Sequence, residues 1–316
     1  MPEDKNKNIK NLNITGRFAP SPSGRMHLGN LFCYLIAWLS IRQQGGRVIL
    51  RMEDLDIVRC PARYSVGVLD DLNWLGLDWD EGPYYQSQRG AFYQAKLDEL
   101  EKLNLLYPCF CTRADLKIAS APHMSDGKII YAGTCRNLTP EKINLLKKTR
   151  KPSWRLKTPD EIFDFIDGHM GYYAENLNQD CGDFILKRSD GLFAYQLAVV
   201  LDDADMGVTE VTRGADLLSS TPRQLYLYQI FHLTPPKFYH IPLLLAPDGR
   251  RLSKRDRDMG LDILRGRYQA REILGKLAYL AGIHPDASPV SLEDLTAKFN
   301  WNLVPRENIV VPDYLF

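Results

Sequence analysis

The chain has 316 residues, 45% hydrophobic and 25% charged, with a formal net charge of +1. These are globular values that argue against wholesale disorder, and the balanced charge excludes a globally basic nucleic-acid binder, so any RNA surface must be local. No apolar run reaches membrane-spanning length, and six cysteines without an export signal point to a reducing cytoplasm.

Residues 1–13 read as a polar leader without a signal peptide's apolar core. Residues 14–19 read as a strand, 31–44 as a helix closing at Gly45-Gly46, and 47–54 as a second, buried strand. That spacing is a βαβ unit, with parallel strands and a right-handed crossover. Between strand and helix, Pro20 and Pro22 fix φ and lack N–H groups, while Gly24 and Gly29 permit close approach to backbone. The helix N-terminus beyond them favours a phosphate. His27, just before it, is placed to donate to charge developing on a phosphoryl group, an ordinary strand-to-helix turn being the competing reading. Ligands of parallel sheets sit beyond the strands' carboxyl ends, so this loop and the acidic end Glu53-Asp54-Leu55-Asp56 face one crevice. Cys33, within the helix, is expected in the core.

Helices are expected at about residues 64–75 and 91–105, with an aromatic turn at 82–89 between them. The periodic pattern breaks at Tyr107-Pro108-Cys109-Phe110-Cys111. Cys109, Cys111 and Cys135 would supply three thiolates to a tetrahedral structural zinc site, against three unconnected free cysteines. On chemistry alone His123 is the better fourth donor, since phenol is a rare ligand. The basic stretch at 142–151 is either a solvated face or a phosphate-contacting one. A strand is expected at 154–157, a polar loop at 171–179, and resumed parallel sheet at 183–188. Residues 193–203 read as an apolar run whose two terminal carboxylates, Asp202 and Asp203, repeat the first half's strand end. Those acids bind a metal directly or only through ATP-bound Mg²⁺, or mark a helix N-terminus; a dedicated metal site is not expected there. A strand at 208–218 exits through Arg213 into a helix ending near Phe231, and a last buried strand at 242–246 precedes a basic loop. Amphipathic helices are expected at 261–281 and 291–300.

His27-Leu28-Gly29-Asn30 and Arg251-Leu252-Ser253-Lys254-Arg255 together resemble the two ATP-binding signatures of class I aminoacyl-tRNA synthetases. Asn30 stands where a second His is usual, Arg251 for a Lys and Arg255 for a final Ser, while the central His27 and Lys254 are kept. The flanking Arg17-Phe18-Ala19-Pro20-Ser21-Pro22, with residues 82–89, resembles the glutamate-activating branch. The resemblance covers about residues 16–282. It implies an ATP site at His27, Gly29, Asn30 and Lys254, with Mg²⁺ accompanying ATP, and catalytic roles for His27 and Lys254 on phosphate charge. It also implies a glutamate site at Arg17, Phe18, Ala19, Pro20, Ser21, Glu53, Tyr195 and Arg213. The Lys254 loop is expected to close over ATP.

Cys109-x-Cys111 followed by Tyr131-x-x-x-Cys135 resembles the insertion of a small branch of glutamyl synthetase-like enzymes, which implies Tyr131 rather than His123 as the fourth zinc ligand. Only 62 residues follow Lys254, too few for both a stem-contact region and a helical anticodon-binding domain. Together these features resemble the glutamyl-queuosine tRNA(Asp) synthetase family. The resemblance implies transfer of activated L-glutamate to the queuosine base at the wobble position, with the tRNA(Asp) anticodon stem-loop as partner and no membrane. A minimal glutamyl-tRNA synthetase charging a 3′ end, and a non-catalytic zinc-dependent RNA-binding protein on a retired core, stay open. The predicted architecture is α/β. A Rossmann-like parallel-sheet catalytic domain is split into residues 14–106 and 181–256 by a zinc-binding insertion at 107–180. A small helical region follows at 257–316.

Overall fold

A computed structural model describes residues 14–112, 114–115, 130–250, 252 and 260–316. The chain opens with β1 (Thr15–Phe18), α1 (Leu28–Gln43), β2 (Arg47–Met52), α2 (Ala62–Leu75), β3 (Glu81–Tyr85) and α3 (Gly90–Lys102). β1, β2 and β3 pair in parallel, Arg17 opposite Ile49 and Met52 opposite Tyr85. β3 corrects the expected aromatic turn: the first part of that segment is a third parallel strand. Pro83, lacking an N–H, is tolerated there because β3 lies at the sheet's edge.

The middle of the chain departs further from expectation. It comprises β4 (Leu106–Cys109), α4 (Pro140–Lys147), β5 (Ser153–Leu156), β6 (Ile162–Asp167), β7 (Gly171–Asn176), a π-helical turn at Leu177–Cys181, and β8 (Phe184–Lys187). β8 runs antiparallel to β5, in a sheet ordered β4-β5-β8, so the parallel sheet does not resume there. The expected polar loop at 171–179 is β7 and the π-helical turn. β6 and β7 form a hairpin that buries Phe163 and Glu175 on one face and leaves Ile162, Ile166 and Tyr172 exposed on the other.

The remainder is α5 (Tyr195–Asp205), β9 (Glu210–Gly214), a 3₁₀ turn at Ala215–Ser220, α6 (Thr221–Ile230), β10 (Lys237–Ile241) and β11 (Leu244–Leu245), then α7 (Leu261–Arg267), α8 (Ala270–Leu280), α9 (Leu292–Lys298) and β12 (Ile309–Val310). The segment expected to repeat a strand end is the helix α5. Its stretch from Leu197 to Asp203 is buried without a break, so no polar face marks its period. The helix expected over 261–281 divides at Tyr268-Gln269, where Gln269 and Glu272 form a capping box that restarts it as α8.

β10 pairs in parallel with β9, and β9 lies alongside β1. The Thr209 N–H donates to Thr15 O at 2.9 Å, and further along Arg17 Nη1 donates to Thr212 O at 3.1 Å. The strand order is therefore β3-β2-β1-β9-β10, and chain direction across the sheet reverses between β1 and β9. The carboxyl ends at that switch point open the crevice where such folds bind ligands.

Helices cover both faces. Val48, Leu50 and Met52 of β2 pack with α1, α2, α8 and α9, whereas Ile49 packs with α3, α5 and α6. α1 is anchored by Leu28, Leu31, Leu35 and Leu39, all without exposed surface. At about 1.5–3 kcal/mol for each such side chain, this anchoring holds the α1 N-terminus against the sheet. Among the described residues no helix is long and apolar enough to cross a membrane.

Candidate active site

The crevice at the switch point is a cavity of about 420 Å³. His27, Gly29 and Asn30 form one wall, at the start of α1. His27 is the N-cap: its Nδ1 accepts from the Gly29 N–H at 3.2 Å, and the Asn30 side chain accepts from the His27 backbone N–H at 3.2 Å. With Nδ1 an acceptor, the neutral ring carries its proton on Nε2 and is a donor there. Asn30, where the resembling signature has a second His, thus completes a capping box. The ring lies over Gly29, where an added Cβ would stand 3.1 Å from His27 Cε1, so a side chain at this position would push the imidazole away.

Arg17, Ala19, Pro20, Ser21, Glu53, Tyr195 and Arg213 line the same cavity, brought together from β1, β2, α5 and β9. Phe18 does not. Its side chain is fully buried against Tyr34, with ring centroids 5.3 Å apart, because alternation along β1 turns it into the core. Cys33, expected in the core, is half-buried in the cavity wall. Burial pushes its thiol up to about 12, against the pull of Arg17. Glu53 is nearly buried and its Oε1 has no hydrogen-bond partner among the described residues. Burial raises its carboxyl to about 7, opposed by Arg51 and Arg17. An acid held so close to neutrality and left without a donor is suited to a cationic ligand group.

Beneath the cavity lies a charged network that sequence reading missed. Arg51, fully buried, sits 2.7 Å from Asp203 and 3.6 Å from Glu53, and Arg17 stands 3.6 Å from Asp203. Asp202 accepts from Arg89 Nε at 2.7 Å and from Gln86 Nε2 and Tyr93 Oη at 2.8 Å. The two acids read as a strand end are therefore inside α5 and engaged by arginines. Alternating residues of β2 gave a signal: an arginine in an otherwise apolar buried strand needs a buried anion.

The basic loop's central residues Arg251, Ser253, Lys254 and Arg255 lie outside the described residues. Its described flanks border the cavity: Leu252 lines it, and Gly260 bridges His27.

Some distance along the chain, Cys109, Cys111 and Cys135 converge with their sulfurs within 4.8 Å of one another. The Tyr131 hydroxyl lies 3.5 Å from Cys109 Sγ and 3.9 Å from Cys111 Sγ, and Cys111 and Cys135 are 3.6 Å apart. Tetrahedral zinc–sulfur bonds of about 2.3 Å require donor–donor edges of about 3.8 Å, and these separations are compatible with such an ion. The Cys135 N–H donates to the phenol oxygen at 2.8 Å and eases its ionisation, but burial and the Cys109 sulfur outweigh it and hold the metal-free phenol well above its ordinary range. Tyr131 is pinned by a bridge to Gly182, whose φ of +68° and a backbone approach of 2.5 Å to an added Cβ demand glycine. His123 lies outside the described residues.

The family model described as tRNA synthetases class I (E and Q), catalytic domain, matches residues 13–312. The chain belongs to that family. Among curated class I synthetases it is similar to the glutamyl-Q tRNA(Asp) synthetase of Nitratidesulfovibrio vulgaris, at 48% identity over 95% of this chain and 96% of that one. It is also similar to that of Symbiobacterium thermophilum, at 46% identity over 95% and 96% of the two chains. Among solved structures, a glutamate tRNA ligase from Elizabethkingia meningosepticum in complex with its amino acid superposes with a TM-score of 0.80 at 26% identity. That match covers 96% of this chain and 68% of the other. A glutamate-tRNA synthetase from Elizabethkingia anophelis gives 0.82 at 27% identity, covering 96% and 69%. As a class I synthetase the chain is a ligase with the α/β fold and parallel sheet described above.

Proposed function

We propose that this synthetase activates L-glutamate with ATP and transfers it to the queuosine base at the wobble position of tRNA(Asp). The observation that supports activation is the convergence of Arg17, Glu53, Tyr195 and Arg213 on one cavity with the capped N-terminus of α1. Glu53 takes the α-ammonium, and the arginines take carboxylate charge through charge-assisted hydrogen bonds. A glutamate carboxylate oxygen attacks the α-phosphorus. A phosphorus–oxygen bond forms, the α–β bond breaks, and pyrophosphate leaves. His27, through Nε2–H, and Lys254 stabilise the charge on the phosphates, while Gly29 leaves room for them. Mg²⁺ arrives with ATP and neutralises phosphate charge.

Similarity to glutamyl-Q tRNA(Asp) synthetases over nearly the whole of both chains supports the acceptor assignment. A ring hydroxyl of the queuosine attacks the carbonyl carbon of the mixed anhydride, AMP leaves, and the ester carries glutamate. Cys109, Cys111, Tyr131 and Cys135 would hold a structural Zn²⁺, which would cross-link β4 to the segment before α4. No disulfide joins the chain's cysteines among the described residues, and this, with a tRNA substrate, suits a reducing cytoplasm.

The test is transfer of labelled glutamate to purified tRNAs whose 3′ ends have been oxidised with periodate. Labelling of queuosine-containing tRNA(Asp), and of a bare anticodon stem-loop carrying the base, is the expected result. Labelling that needs an intact 3′ end, or that reaches tRNA(Glu) instead, replaces this reading with a minimal glutamyl-tRNA synthetase.

A further inference from the structure

Arg213 is held from behind. Its Nε donates to His240 Nε2 at 2.9 Å, and its Nη2 donates to Thr221 Oγ1 at 2.8 Å. Behind His240, Nδ1 lies 2.6 Å from Asp167 Oδ2, and the His240 backbone N–H donates to Asp167 Oδ1 at 3.1 Å. His240 and Asp167 have no exposed side-chain surface. Asp167 is itself fixed, accepting from the His169 and Met170 N–H groups at 3.0 and 2.8 Å.

Only one hydrogen pattern satisfies this chain. A guanidinium has donors and no acceptor, so His240 Nε2 must accept. The ring is then neutral, with its proton on Nδ1, where Asp167 receives it. Burial holds His240 below the ordinary imidazole range, with Arg213 acting in the same direction and Asp167 opposing. The arrangement is built by register as well as sequence. His240 lies directly opposite Arg213 across β10 and β9, and the β6–β7 hairpin docks on β10 through the Gly168 N–H and Phe238 O at 2.8 Å. With Nε and Nη2 engaged, Arg213 reaches the cavity with Nη1, 3.3 Å from the Tyr195 hydroxyl.

We propose that His240 and Asp167 are positioning residues for amino-acid recognition: Asp167 sets the tautomer of His240, and His240 aims Arg213 at a carboxylate group of the substrate. The inference rests on the function proposed above, in which Arg213 contacts glutamate. An arginine whose rotamer is set before binding loses less freedom when the ligand arrives, so the relay acts on affinity for the amino acid and not for ATP.

Asp167→Asn tests it. The carboxamide oxygen can keep the backbone bonds, while its nitrogen donates to His240 Nδ1 and drives the ring proton to Nε2, against the Arg213 Nε–H. In glutamate-dependent pyrophosphate exchange the KM for glutamate should rise roughly 10–100-fold, the loss of one charge-assisted hydrogen bond, with the KM for ATP unchanged. His240→Ala should behave alike. His240→Gln, whose amide can accept from Arg213 and donate to Asp167, should restore most of the affinity. ¹⁵N imidazole shifts should show His240 protonated on Nδ1 in the wild type and on Nε2 in Asp167→Asn.

A glutamate KM indifferent to both Asp167→Asn and His240→Ala overturns the inference. So does an equal rise for ATP and glutamate, which marks a merely structural role, or a wild-type ring protonated on Nε2. Absence of glutamate-dependent exchange in the wild type is instead the failure of the function reading, and the tautomer is measured independently of it.

Discussion

Arg51 and Asp203 form an ion pair at 2.7 Å in which the arginine has no exposed surface and the aspartate almost none. The same guanidinium stands 3.6 Å from Glu53 and 3.7 Å from Asp202, so one buried cation serves three acids under the cavity floor. Arg51→Met should leave those acids under-compensated in the interior and destabilise the fold by about 3–5 kcal/mol. Urea unfolding measures it. A loss below about 1 kcal/mol would mean that Arg17 and Arg89 suffice to compensate the acids.

Glu53 predicts a pH dependence. Its folded carboxyl lies at about 7, above the ordinary 4.5, so between those values the empty protein holds a proton that the unfolded chain has released. This group's contribution to stability therefore falls as pH rises from about 4.5 to 7. An α-ammonium in the cavity favours the carboxylate, so glutamate binding below pH 7 must expel that proton. The KM for glutamate in exchange should fall with rising pH by up to about tenfold per unit below 7, then level off. Glu53→Gln should raise the KM and flatten the profile; an unchanged slope would assign the proton elsewhere.

Gly29→Ala separates helix stability from chemistry. Alanine is the better helix former by up to about 1 kcal/mol, so melting temperature should not drop much. Its methyl, however, would crowd the His27 ring at Cε1 and Nδ1, 3.1 and 3.2 Å away. Exchange kcat should fall by about tenfold or more, the size of effect expected when one transition-state donor is misplaced. Normal kcat with normal stability would remove His27 from the phosphate contacts.

Lys254→Ala should lower the exchange rate on the order of 10²–10³-fold without altering thermal stability, as for loss of one preorganised electrostatic donor. Exchange should proceed without RNA, and a requirement for tRNA in the wild type would contradict the assignment of a complete activation site. Exchange with aspartate but not glutamate would refute the specificity.

For the cysteine cluster, elemental analysis should find about one zinc per chain. Tyr131→Phe should lose more metal than His123→Ala, because the phenol oxygen already stands 3.5 Å from Cys109 Sγ. Chelation should lower the melting temperature. All three thiols titrating freely in zinc-free protein of unchanged stability would defeat the metal site.

What could be read directly from the residues was what local rules control. The proline–glycine crossing, the helix start after His27 and the buried strand before Glu53 each follow from backbone chemistry and hydrophobic period within a few residues. The three cysteines were legible as a donor set, since ligand identity and spacing survive without a fold; chemistry alone preferred His123 as the fourth donor, and Tyr131 entered only through the resemblance. Pairing was not legible. Phe184–Lys187 looks alike whether its neighbour runs parallel or antiparallel, and only its register with β5 decides. The buried run Leu197–Asp203 has no polar face, so its helical period was invisible until packing against α3 and α6 revealed it. Arg51, His240 and Asp167 come from three separate strands, and each alone is an ordinary polar residue in an apolar segment. Their role depends on distances set by the sheet order and the docked hairpin. A buried charge announces a partner through its desolvation cost, but tertiary structure alone determines which residue answers it.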